Sequence, residues 1–226
     1  MNGIILSTAL MTLITFAVGC GRHDPIPSRV EAEWPQFRHQ VDKARNRVWF
    51  LTRDGVRLYD LDAPEKIRHI QLPDWVWIGE PLGCMPDLTL GPIGEALVSS
   101  NVVPWLWRID PDTLAVSKHE LALDTDAGKE IGFSGLAYSA EQRAFIAVSP
   151  FHGSLWRIDA SLATAQKIQL SAPIPQACGI AIRPRAFEGK MARAVRLCVD
   201  TGQGGWAVDL APDQRSGHVT ARSCQE

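Results

Sequence analysis

Four aspartates recur at an even spacing and are the first candidates for chemistry: Asp62, Asp110, Asp159 and Asp209, which lie 48, 49 and 50 residues apart. Each closes the pattern aromatic, any residue, aliphatic, Asp, at Tyr59 to Asp62, Trp107 to Asp110, Trp156 to Asp159 and Trp206 to Asp209. A carboxylate can serve as a base or a metal ligand. An Asp straight after a strand can also accept backbone N–H groups two residues on and start a turn. Regular repetition favours the turn. A second group mixes aromatic and polar side chains: Trp75, Trp77, Glu80, Asn101, Trp105, Glu130, His152 and Asp200. Such groups suit the holding of a ligand or partner. The thiols are Cys20, Cys84, Cys178, Cys198 and Cys224, with no CxxC or Cys/His spacing of a zinc site. No catalytic motif emerges, so no catalytic residue is assigned.

These residues sit between short apolar runs that also repeat. Ahead of each Asp pattern lies one run: Val48 to Leu51, Ala96 to Val98, Phe145 to Val148, Val195 to Val199. Ahead of that lies another: Phe37 to Val41, Leu88 to Leu90, Gly135 to Tyr138, Gly179 to Ile182. Behind it lies a fourth: Ile67 to Leu72, Lys118 to Leu123, Lys167 to Leu170, His218 to Ala221. The runs are rich in β-branched and aromatic residues, and several alternate with period two. No segment past the N-terminus keeps a helical period. Four strands per unit of about 49 residues is the pattern of a β-propeller blade, here an all-β fold of about four blades over residues 36–226. Either four blades close alone or two chains close the ring as a dimer. Residues 28–33 are expected as an added edge strand that closes the ring.

In such a blade the strands run up and down from the centre outward. Loops between blades therefore share a face with loops between second and third strands. That face collects the Trp-rich group above. The opposite face collects Lys43, Arg45, Arg47, Arg143, Arg183, Arg185, Lys190 and Arg193, a surface suited to anionic headgroups or an acidic partner. The cysteines follow from the same layout. Cys178 begins the first strand of the last unit and Cys198 ends the second. With Phe187-Glu188-Gly189 at the tip between them, the two face each other at about 5 Å between Cα atoms, within disulfide reach. A Cys178–Cys198 bond is expected, which leaves Cys84 with Cys224.

The chain has 226 residues, a net charge of −2, 46% hydrophobic and 21% charged residues, which fits one globular domain and offers no overall basic footprint for nucleic acid. Ile4 to Val18 carries no charge and is shorter than the ~20 residues of a membrane-spanning helix, so residues 1–19 read as a signal peptide. The polar, proline-broken stretch after Cys20 reads as a tether over residues 20–35.

Ala17-Val18-Gly19-Cys20-Gly21 resembles the lipobox of bacterial lipoproteins, which implies cleavage before Cys20 and lipidation of that residue. Since Asp does not follow Cys20, the resemblance implies the periplasmic side of the outer membrane, with the inner membrane's outer leaflet or secretion as alternatives. The repeats resemble those of the YVTN, NHL and WD-type propellers. A resemblance in placement to gluconolactonase-type propellers implies a Ca²⁺ or Mg²⁺ ligand set of Asn101, Glu130 and Asp200, hard oxygen ligands on one face. The leading expectation needs no cofactor: an envelope-anchored, non-enzymatic binding module for a protein, peptide or glycan, monomeric or homodimeric. The alternatives are a metal-dependent lactonase or hydrolase and a periplasmic immunity or inhibitor lipoprotein.

Overall fold

The computed structural model describes residues 36–79, 84–126, 129, 131–183, 196–201, 204–211 and 215–220. All belong to the compact unit Trp34–Glu226. Cys20 and residues 28–33 lie outside the described residues.

The described residues form strands and no helix. The strands are β1 (Gln36–Asp42), β2 (Arg47–Thr52), β3 (Gly55–Asp60), β4 (Ile67–Ile70), β5 (Leu88–Leu90), β6 (Ala96–Ser99), β7 (Trp105–Ile109), β8 (Val116–Glu120) and β9 (Ala122–Leu123). They continue with β10 (Gly135–Ser139), β11 (Ala144–Ser149), β12 (Ser154–Asp159), β13 (Thr164–Leu170), β14 (Ala177–Arg183), β15 (Arg196–Thr201), β16 (Gly204–Leu210) and β17 (Ser216–Thr220). Each expected unit is an antiparallel meander of four strands: β1–β4, β5–β8, β10–β13 and β14–β17. The third and fourth join through a short parallel pairing of β13 with β17, and β9 pairs with the other end of β13, giving one nine-stranded sheet beside two four-stranded ones.

Period-two alternation explains how the meanders pack. On β6, Ala96 and Val98 face a core shared with Trp49, Leu51 and Leu58 of the first meander, while Leu97 faces a core shared with Phe145 and Trp156 of the third. On β11, Phe145 and Ala147 face back toward the second meander, while Ile146 and Val148 face Leu197, Val199 and Val208 of the fourth. The two middle meanders are thus apolar on both sides and each needs a neighbour on both. Each buried Val, Leu, Ile or Phe side chain among them contributes about 1.5–3 kcal/mol.

Asp110 and Asp159 do start turns, and the first meander needs a correction of phase. Asp110 Oδ1 accepts the amides of Asp112 and Thr113 at 3.0 and 2.7 Å, and these bonds, Thr113 first, hold its carboxyl below the usual range. Burial pushes Asp159 upward, but hydrogen bonds from Ser161 and Thr164 outweigh it and leave that carboxyl below the usual range as well. In the first meander the capping residue is Asp60, not Asp62: its Oδ1 accepts the Asp62 amide at 3.0 Å, and Asp60 pairs with Arg47 as Asp159 does with Ala144. Two acidic residues in one turn made the copies look alike two positions late.

The disulfide expectation is also corrected. Cys178 bonds to Cys84, with Cα atoms 5.1 Å apart, and Cys198 is disulfide-bonded to a residue other than Cys178. The register explains it: Cys198 faces Ala181, and the pairing slips between Ala177 and Gly179, so Cys178 stands outside the regular ladder. The expected turn tip, residues 187–189, lies outside the described residues.

Candidate functional site

The tryptophans of the first loop are held in place by a zipper of side-chain to backbone bonds. Ser99, Ser100 and Asn101 leave β6 in succession. Trp75 Nε1 donates to Ser99 O at 3.1 Å, and Ser100 Oγ donates to Val76 O at 2.6 Å. Asn101 takes the Ile78 amide at Oδ1 (3.0 Å), and its Nδ2 donates to Ile78 O and Cys84 O at 2.6 and 2.7 Å. Residues 75–79 therefore lie along the end of β6 almost as an extra strand. Trp75 and Trp77 stand with ring centroids 5.9 Å apart, both half-buried.

Trp105 belongs to the same neighbourhood. It stacks edge-on against Trp107 at 6.3 Å, and Trp107 Nε1 donates to Pro73 O at 2.7 Å. The Lys118 ammonium lies 4.0 Å over the Trp105 ring and pairs with Asp74 and Glu120, each at 3.5 Å. Trp75 and Trp105 both pack on the core shared by the first two meanders. The result is a fixed patch of half-exposed indoles with one cation, whose charge is balanced by two carboxylates.

Of the residues expected to share a face, the structure gathers Trp75, Trp77, Asn101 and Trp105. Asn101 stands behind the patch, fully buried, as the bolt that holds its loop. His152 does not join them. It is exposed at the tip between β11 and β12 and lines a separate cleft of about 560 Å³ with Asp124, Thr125, Lys167, Gln169 and Pro173. Asp200 is exposed at the end of β15, opposite Gly179 and Gly205. Glu80 and Glu130 lie outside the described residues. The expected Ca²⁺ or Mg²⁺ set does not fit: the Asn101 amide is bound to backbone at both ends and is not turned toward a cation. No group of three acidic, His or Cys side chains suited to a metal occurs among the described residues.

On the opposite face, one of the expected cations, Arg45, is balanced by carboxylates. Arg45 pairs with Asp112 at 3.0 Å and Asp42 at 3.3 Å, and Arg47 donates to Pro111 O at 2.8 Å. Lys43 and Arg143 are exposed, while Arg185, Lys190 and Arg193 lie outside the described residues.

Two features have no counterpart in the sequence reading. One is a hydroxyl at the end of every second strand: Thr52, Ser99, Ser149 and Thr201 are all buried. Their recurrence is visible in the sequence once the repeats are aligned. The other joins first strands. Asp87, just before β5, is buried and accepts the amides of Leu88 (2.8 Å) and Leu136 (2.9 Å), and Arg38 of β1 approaches it at 3.4 Å. Burial pushes its carboxyl up to about 6, against the pull of Arg38 and the two amides. Arg38 also donates to Cys178 O at 3.1 Å, and a Cβ on Gly179 would stand 2.9 Å from its guanidinium.

No protein-family model matches the chain, and no curated protein does. Solved structures do. An inactive virginiamycin B lyase from Staphylococcus aureus with quinupristin aligns at a TM-score of 0.58 and 16% identity, over 84% of this chain and 56% of that one. An auxiliary nutrient binding protein from Bacteroides thetaiotaomicron aligns at 0.57 and 9% identity, over 84% and 43%. A luciferin-regenerating enzyme aligns at 0.50 and 14%, over 78% and 58%. The fold is all-β and propeller-like. The chain spans about half the length of the solved structures it matches. Enzymes and a binding protein share this fold, so the fold does not choose among functions.

Proposed function

We propose that the chain is a lipid-anchored envelope protein whose four meanders are the four blades of a small propeller, and that it binds a protein or peptide partner through the Trp75, Trp77 and Trp105 patch. Four meanders of like length support the blade count. The bond from Arg38 on β1 to Cys178 at the start of β14 supports the first and last blades meeting. The lipobox-like Ala17 to Gly21 supports attachment through Cys20.

One observation carries the functional reading: Trp75 and Trp77 remain half-exposed although their loop is bolted by five side-chain hydrogen bonds, and Trp105, at the start of β7, remains half-exposed near them. Rigid aromatic rings beside water are the groups that anchor interfaces, because they bury large area at small conformational cost. The test is in-cell photo-crosslinking of the full chain in its bacterial envelope, with a benzophenone side chain at position 77. A discrete adduct that disappears with Trp105→Ala is expected. No adduct, or one that survives Trp105→Ala, refutes the reading. In the same cells, Cys20→Ser should move the protein from the membrane to the soluble fraction.

A further inference from the structure

The chain already holds one cation of its own against the indole patch. The Lys118 ammonium stands 4.0 Å over the Trp105 ring, with Asp74 and Glu120 each at 3.5 Å. A π face and carboxylates are the two surroundings that stabilise an ammonium or a guanidinium. One ammonium against two carboxylates leaves a net negative charge beside the rings. Exposure sharpens that imbalance at the surface. The Lys118 side chain is 24% exposed, against 78% for Asp74 and 64% for Glu120. The cation is covered by its partners, while both carboxylates keep most of their surface in water.

The backbone carrying these carboxylates is fixed. Glu120 ends β8, directly opposite Trp105 in the ladder. Asp74 stands at φ 54°, a left-handed conformation that Asp adopts more readily than most residues. Its neighbours are tied on both sides: Pro73 O accepts the Trp107 Nε1–H at 2.7 Å, and the Trp75 amide donates to Leu72 O at 3.3 Å. The Trp75 indole N–H is spent on Ser99 O, so that ring has its π face and carbon edge left for a partner. Val76, between the two loop tryptophans, is 41% exposed and adds apolar surface. An anionic partner would meet two exposed carboxylates, and a purely apolar one would take them out of water without a counter-charge. A cationic side chain flanked by apolar residues meets the rings and the carboxylates together.

We infer that the partner segment taken by this patch presents an arginine or lysine between apolar residues, an inference that rests on the patch being the binding surface. The probes are the peptides acetyl-Leu-Arg-Leu-Arg-Leu-amide and acetyl-Leu-Glu-Leu-Glu-Leu-amide. Each is titrated into the full chain in an uncharged detergent at low salt and followed by tryptophan fluorescence. The arginine peptide should bind with a Kd of about 1 mM or tighter, and the glutamate peptide at least about tenfold more weakly. Asp74→Asn with Glu120→Gln should weaken the arginine peptide by about fivefold or more, since both side chains are exposed and the change leaves the fold intact. Salt at about 0.5 M should weaken it in the native chain as well. No binding of either peptide, equal binding of both, or an arginine preference that survives the carboxylate variant overturns the inference. The photo-crosslinking at position 77 separates the two failures. An adduct lost with Trp105→Ala but no arginine preference keeps the patch and rejects the cationic partner, whereas no adduct rejects both.

Discussion

The Cys84–Cys178 bond closes 94 residues of chain, a span that holds the whole of the second and third meanders. Replacing both cysteines by serine frees the unfolded chain to explore that span. For a loop of this length the chain-entropy relation gives about 4.7 kcal/mol at 25 °C. The folded state should lose little, because both ends are held by other bonds: Asn101 grips Cys84 O and Arg38 grips Cys178 O. The change therefore falls on the unfolded side. Against a total of about 5–15 kcal/mol for a domain, the variant becomes marginal. Urea unfolding followed by tryptophan fluorescence measures it. The expected result is a loss of about 4–5 kcal/mol with a steeper denaturant dependence, because an uncrosslinked denatured chain exposes more surface. A loss under about 1 kcal/mol with an unchanged slope refutes the reasoning and means that the unfolded chain is already compact over this span.

Two further perturbations test the interior. Asp87 has a folded pKa of about 6 against about 4 in an unfolded chain, so the folded state binds its proton more tightly and loses stability as pH rises through that window. The loss from pH 4 to pH 7 should be on the order of 3 kcal/mol, read as a fall in Tm that Asp87→Asn abolishes; a flat profile in the native protein contradicts it. The equivalent hydroxyls Ser99 and Ser149 should behave oppositely: Ser99 donates to Phe133 O at 2.8 Å and accepts the Asp87 amide at 2.9 Å, whereas Ser149 Oγ is buried with no partner among the described residues. Denaturation should show Ser99→Ala costing about 1–3 kcal/mol and Ser149→Ala costing nothing or raising stability by up to about 1 kcal/mol; equal losses would mean that both hydroxyls are engaged.

How much of this was legible in the sequence follows from the range of each interaction. The strands were, because alternation is written in neighbouring residues, as at Ala96-Leu97-Val98. The turns were, because Asp110 and Asp159 act on amides two to five residues away. The disulfide was not, because it joins a loop ahead of β5 to a strand whose pairing slips at Cys178, and a single slipped residue cannot be read from composition. Asn101 shows the same limit from the other side. Its type and its place at the end of a second strand looked like an oxygen ligand on an open rim, yet its partners are the backbone of Ile78 and Cys84, about twenty residues earlier. The aromatic patch stays exposed because those bonds hold its loop along the end of β6. A buried amide with every hydrogen-bonding atom engaged with main chain is a structural part, and the groups it presents to water, Trp75 and Trp77, are where a partner would have to be met.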